Sequence, residues 1–223
     1  MGRKFHANGR VKASPGNTVI TFVTPDMPQF PELVWAQTEL AAACGSAITL
    51  LPESSLHMTV FELLIVTNRT PEKWSRNLAL DAPLVETDAY FRAVVPPIPA
   101  PANLAMVFER VGPMTQAIGV TLKPADDAVA HALRAYRDAL SEATGIRSPD
   151  HAAYRFHISL AYRIRVGDAH DRALASALDR ITARLSRTFG VFAPAAPQPV
   201  FFEDMFAFRS ASRAGPAGRL GRG

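Results

Sequence analysis

Between Ser55 and Leu64 apolar and polar side chains alternate: Leu56, Met58 and Val60 share one face of an extended chain, and Ser55, His57 and Thr59 share the other. A strand is therefore predicted, with an imidazole and two hydroxyls opposite its apolar side. The β-rich run 17–23 follows the turn sequence Pro15-Gly16-Asn17 and predicts an earlier strand. Residues 30–44 change to helical spacing, with Pro31 suited to a first turn and Gly45 to a stop. An apolar run covers 47–51, and the polar stretch 67–77 reads as loop. Strands are expected at 90–95 and 104–111, separated by a proline-rich stretch that cannot continue a ladder.

The same order returns in the second half. Residues 119–124 predict a strand, and 125–145 a helix whose Asp126 and Asp127 suit its positive N-terminal end and whose Gly145 suits its stop. Residues 154–165 form another alternating strand, about 169–188 a further helix, and 200–210 a last strand. Strand, helix and histidine-bearing strand thus occur twice. An internally duplicated α+β protein with mostly antiparallel sheets follows. The expected organisation is a polar arm over 1–16, one bilobal domain over 17–212 with approximate lobes 17–115 and 116–212, and a disordered, Gly- and Arg-rich tail over 213–223.

The chain has 223 residues, 48% of them hydrophobic and 20% charged, enough for a sizeable core. No apolar run approaches bilayer-spanning length, the N-terminus has no signal-like apolar segment, and Cys44 is the single cysteine, so a reducing cytoplasm is the expected compartment. The net charge of +4 resides in the ends. Eight of the 24 basic residues lie before the first acid, Asp26, or after the last, Asp204, and the remaining 16 are outnumbered by the 20 acidic residues. Long RNA is therefore a less natural partner than a small nucleotide. Arg3 and Lys4 belong to an arm expected to be mobile, although folding toward a groove would bring them to phosphate.

The chemistry lies in a repeated pattern. His57 and Thr59 recur as His157 and Ser159, 100 residues later, each pair on the polar face of a strand. Two imidazoles with near-neutral pKa values can divide a phosphodiester cleavage, one accepting a proton from the attacking oxygen and the other supplying one to the leaving oxygen. Hydroxyls one pleat repeat away can donate to the non-bridging oxygens, whose charge grows in the transition state. This chemistry requires no metal, and no cofactor is expected. Arg155 has the parity of His157, and Arg163 shares it if the strand stays regular; Phe61 has the parity of His57 and could cover a base, as could Tyr162, Trp74 or Phe208. The remaining histidines, His6, His131, His151 and His170, are expected on the solvated surface, as are Arg134 and Arg137 on a polar helix face.

The paired motifs "HMTV" and "HISL" resemble those of the 2H phosphoesterase superfamily, which includes RNA 2′,3′-cyclic phosphodiesterases once described as RNA ligases. The N-terminal "GRKFHANGRV…PGNTVI" followed by "LPESSLHMTVFE" is similar to a branch known as a domain of unknown function. The resemblance covers about residues 2 to 210. It implies a bilobal 2H phosphodiesterase-like fold with two pseudo-twofold-related lobes of antiparallel sheet flanked by helices, and a groove between the sheets. It further implies metal-independent opening of a cyclic phosphate, with His57 and His157 as the catalytic pair and Thr59 and Ser159 holding the phosphate. The expected partner is a nucleotide or an RNA terminus bearing a cyclic phosphate or related phosphodiester, bound by a monomer without membrane or protein partners. A non-catalytic module holding the same ligand is the alternative. A metal site is the weaker rival, since hydroxyls stand where further ligands would be needed.

Overall fold

A computed structural model of the protein describes residues 4–210 except 115 and 166, with the side chains of 168 and 169 also left out. The expected tail over 213–223 lies outside the described residues, as does Arg3. Thirteen elements follow one another: β1 (Gly16–Phe22), α1 (Gln29–Cys44), β2 (Ile48–Leu50), β3 (His57–Ile65), α2 (Leu84–Val94), β4 (Met106–Pro113), β5 (Ala117–Pro124), α3 (Asp127–Thr144), β6 (Phe156–Arg163), α4 (Asp168–Thr188), β7 (Val191–Phe192), β8 (Gln198–Asp204) and β9 (Ala207–Ser210). The described strands form one antiparallel sheet in the order β7-β4-β5-β6-β3-β1-β8-β9, with β2 on the same edge of β6 as β3. The α+β class read from the alternation is the class observed.

Local signals explain the helices. At α3, Asp126 lies just outside the first turn and its carboxylate accepts from the Val129 amide at 2.8 Å, while Gly145 closes the other end in the left-handed region. Along α1, Leu33, Ala36 and Leu40 recur at helical spacing and are fully buried, as are Ala177, Ile181 and Leu185 of α4. The two helices are joined outside the core by a bidentate Glu32–Arg184 pair, with the guanidinium stacked 4.1 Å from the Trp35 ring. The main core packs these helices and α3 against one face of the sheet, where Met58, Val60, Ile158 and Leu160 are fully buried. Each such side chain contributes about 1.5–3 kcal/mol of hydrophobic stabilisation.

Three expectations give way. The strand expected at 90–95 is instead the C-terminal part of α2: Thr87 and Phe91, four residues apart, are its buried positions, and Pro96 follows its end. The strand expected at 200–210 is a hairpin of β8 and β9, whose turn is fixed by the Asp204 carboxylate accepting from the Phe206 amide at 2.7 Å. The polar arm is ordered in part, since residues 4–12 form a small hairpin with Phe5 paired to Val11 and Phe5 buried.

The halves of the sheet do not coincide with the halves of the sequence. β4 pairs with β5 and β7, all in the second half of the sheet, whereas β8 and β9 return from the end of the chain to extend β1. The halves meet where β3 touches β6 through the single pairing Met58↔Ile158, between the two histidine motifs.

Candidate active site

The two motif strands share one irregularity. On β3, Thr59 pairs with Ile20 and Phe61 with Val19, so Val60 is an extra residue in the ladder; on β6, Ser159 pairs with Gly119 and Ala161 with Ile118, so Leu160 is extra. A β-bulge therefore follows each hydroxyl, at positions 100 residues apart. Each bulge exchanges the two faces of its strand for the residues beyond it. Gly119 makes room for the second one, because a Cβ there would lie 2.4 Å from the Ile158 carbonyl oxygen.

The bulges decide which side chains meet. His57, Thr59, His157 and Ser159 line one groove on the sheet face away from the main core. Beyond the first bulge Glu62, and not Phe61, lines that groove; beyond the second, Tyr162 lines it, and not Arg163. Phe61 is buried in the core, edge-on to the His151 ring. Arg163 turns away to an ion pair with Asp171. Arg155, just ahead of β6, lines a different cavity beside α3. Trp74 is also buried apart from the groove, its indole N–H donating to the Ala79 carbonyl at 2.8 Å. Of the aromatic candidates, Tyr162 and Phe208 line the groove, and the Phe208 ring lies 4.3 Å from that of His57.

Both imidazoles are held alike. Nδ1 of His57 lies 2.6 Å from the Ser55 carbonyl oxygen, and Nδ1 of His157 lies 2.9 Å from the Arg155 carbonyl oxygen. A carbonyl only accepts, so each Nδ1 carries the proton and Nε2 is left as the basic nitrogen of the neutral ring. Ser55 is itself fixed, its hydroxyl donating to the Pro52 carbonyl at 2.7 Å. Burial lowers the pKa of His57 to about 4, assisted by the neighbouring charges of His157 and Lys4 and opposed by the Ser55 carbonyl. His57 is therefore neutral near pH 7 in the ligand-free groove.

Two buried polar side chains support the bulges from behind. Arg137 of α3, only 6% exposed, donates to the carbonyls of Val60 and His151 and stacks 4.1 Å from the Tyr154 ring. Gln37 of α1 donates to the Leu160 carbonyl at 2.9 Å and to the Leu51 carbonyl at 2.8 Å. These helix residues are again 100 apart, and each serves the extra residue of the opposite motif. The expectation of a solvated Arg137 fails because its guanidinium reaches two backbone carbonyls, those of Val60 and His151, and stacks on the Tyr154 ring. His151 is likewise buried, its Nε2 2.9 Å from an Asp138 carboxylate oxygen; His6, His131 and His170 are exposed.

Sequence reasoning passed over Glu62, Asn68, Lys73, Ser148 and Met205, which also line the groove, Met205 beside Tyr162. The switch of face at the bulges hid Glu62. The others stand on loops and turns, which periodicity does not address.

A mixed α+β protein with twin histidine strands meeting at the centre of one antiparallel sheet is of the 2H phosphoesterase type. The family model for the 2H-phosphodiesterase domain of unknown function, DUF1868, matches residues 4–117, and the chain belongs to that family. Among solved structures it is similar to a conserved protein of unknown function from Agrobacterium tumefaciens, at 28% identity and a TM-score of 0.86, over 94% of this chain and 90% of that one. A Thermus thermophilus protein, TT0787, is similar at 14% identity and a TM-score of 0.44, over 83% of this chain and 85% of that one. No protein with a curated description matches the chain.

Proposed function

We propose that the protein is a metal-independent phosphodiesterase that hydrolyses a 2′,3′-cyclic phosphate, or a related cyclic or 2′-5′ phosphodiester, of an RNA end or nucleotide. The observation carrying this reading is the matched pair of imidazoles, each with Nδ1 committed to the carbonyl two residues earlier, lining one groove with Thr59 and Ser159. Family membership supports the phosphoester chemistry.

In the hydrolytic direction His57 enters neutral, and its Nε2 takes a proton from the attacking water. As the new P–O bond forms, His157 gives a proton from its Nε2 to the leaving ribose oxygen, whose bond to phosphorus breaks. The hydroxyls of Thr59 and Ser159 donate to the non-bridging oxygens. The backbone bonds at Nδ1 hold both rings in the orientation these transfers need.

The test is turnover of a panel of 2′,3′-cyclic nucleotides and cyclic-phosphate RNA ends with EDTA present. Hydrolysis is expected to persist in EDTA. His57→Ala and His157→Ala are each expected to lower it by about 10²–10⁴-fold, the usual contribution of a general acid or base. Near-full activity in His57→Ala would overturn the reading; saturable binding without turnover would make the protein a nucleotide-binding module.

A further inference from the structure

The N-terminal hairpin brings a cation to the groove that the paired motifs do not account for. Its strands are held by the pairing of Phe5 with Val11 and by Lys12 N–H donating to the Lys4 carbonyl at 2.9 Å. Gly9 turns the hairpin with φ near +82°, and its carbonyl accepts from the Thr49 hydroxyl at 3.1 Å. A side chain at Gly9 would be strained by that φ, and its Cβ would lie 2.7 Å from the Thr49 oxygen. Phe5 then packs 4.8 Å from the Tyr162 ring and 5.7 Å from that of Phe206. The hairpin is thus anchored on β2, on β6 and on the β8–β9 turn.

This anchoring fixes Lys4. Its ammonium donates to the Tyr162 hydroxyl at 3.2 Å, sits 5.4 Å from the centre of that ring, and lines the groove with both histidines. Among the described residues, three charged ones other than histidine line the groove: Lys4, Glu62 and Lys73. Glu62 and Lys73 are exposed, whereas Lys4 is half-buried and has no carboxylate partner among the described residues. A partly desolvated cation with only a phenol and a ring face for company lacks the anion that would compensate it. Thr59, Ser159 and the neutral ring of His57 bring no net positive charge, which leaves the proton that His157 gives up and the ammonium groups of Lys4 and Lys73 to meet a phosphodiester anion; of the two ammonium groups Lys4 is the half-buried one.

We propose that Lys4 is an anion-binding residue of this groove, contacting the substrate phosphate, and that the N-terminal hairpin is part of the site because it carries Lys4. Tyr162 orients the ammonium through its hydroxyl and ring. This inference rests on the phosphodiesterase reading, yet it concerns binding and can be tested without turnover.

The probe is inorganic phosphate, followed through the ring signals of His57 and His157 in the full chain by NMR. In Lys4→Met, which keeps an apolar stem against Tyr162, phosphate is expected to bind about tenfold more weakly, and the salt dependence of binding to lessen. Lys4→Arg is expected to retain most of the affinity. A second readout separates charge from structure: His57 is expected to titrate at higher pH in Lys4→Met than in the unaltered protein, because a repelling cation has gone. Weakening in Lys4→Arg equal to that in Lys4→Met would mark a packing role and overturn the proposal. Unchanged phosphate affinity in Lys4→Met, with both rings still responding, would overturn the Lys4 assignment alone. If phosphate perturbs neither histidine ring, the site reading fails and the Lys4 proposal with it.

Discussion

His57 and His157 have the same motif, the same strand position and the same Nδ1 bond, but they do not face the same surroundings. Phe208 covers the His57 ring, and the charges of His157 and Lys4 disfavour its protonation. Burial is the larger cause of its low pKa. The folded protein therefore keeps His57 neutral down to about pH 4, while the unfolded chain protonates it near 6.5. The sign follows directly: protons bind the unfolded state more readily, so this group removes stability as pH falls from about 6.5 to about 4 and has no effect above that window. Urea unfolding of the unaltered protein is expected to lose more stability across this interval than His57→Gln, which has no imidazole to titrate. Equal losses in the two proteins would place the His57 pKa near its ordinary value. The same shift places the acid limb of kcat/KM below the usual histidine range, measurable on a reactive cyclic nucleotide. At this scale the alternating pattern put His57 with Thr59 on one strand face and His157 with Ser159 on another, and the fold brings the four to one groove. It could not give the neighbours, because Phe208 and Lys4 arrive from the two ends of the chain.

At the scale of the element, the bulges are what the sequence concealed. A regular β3 would point Phe61 into the groove, and a regular β6 would do the same for Arg163; one extra residue in each ladder sends Phe61 to the core and Arg163 to Asp171. Nothing in the local sequence at Val60 or Leu160 marks a bulge, since both are ordinary strand residues. The cause is tertiary: Arg137 and Gln37 reach the carbonyls of the two extra residues from helices distant in the chain. Arg137→Met is expected to leave the Val60 carbonyl unsatisfied and cost about 2 kcal/mol in urea unfolding. Gln37→Leu is expected to cost less, because the Leu160 carbonyl keeps the Leu51 amide at 2.9 Å as a second partner. If Arg137→Met proved as stable as the unaltered protein with unchanged turnover, the buried guanidinium would have no part in setting the strand. The α2 region fails in a different way. Its aromatic and β-branched residues suit a strand locally, but burial at Thr87 and Phe91 follows a helical repeat.

For the whole molecule, the decisive feature is the exchange of strands between the halves of the sequence. Since β4 completes the half containing β5 and β6, and β8 and β9 complete the half containing β1 and β3, neither 17–115 nor 116–212 carries all the strands of one half of the sheet. The described residues from 17 to 210 are therefore expected to unfold as one cooperative unit. Fragments 1–115 and 116–223 are expected to lack a cooperative thermal transition when expressed separately and to regain it when coexpressed. A sharp transition in either fragment alone would contradict that unit. By itself the sequence determined the α+β class, most helices and strands, and the two polar strand faces, because periodicity and end signals act over a few residues. The bulges, the burial of Arg137 and His151, the strand exchange and the arrival of Lys4 beside Tyr162 were decided only by tertiary structure. Each depends on a carbonyl, ring or strand edge supplied by a distant part of the chain, and such partners leave no trace in the local pattern of polar and apolar residues.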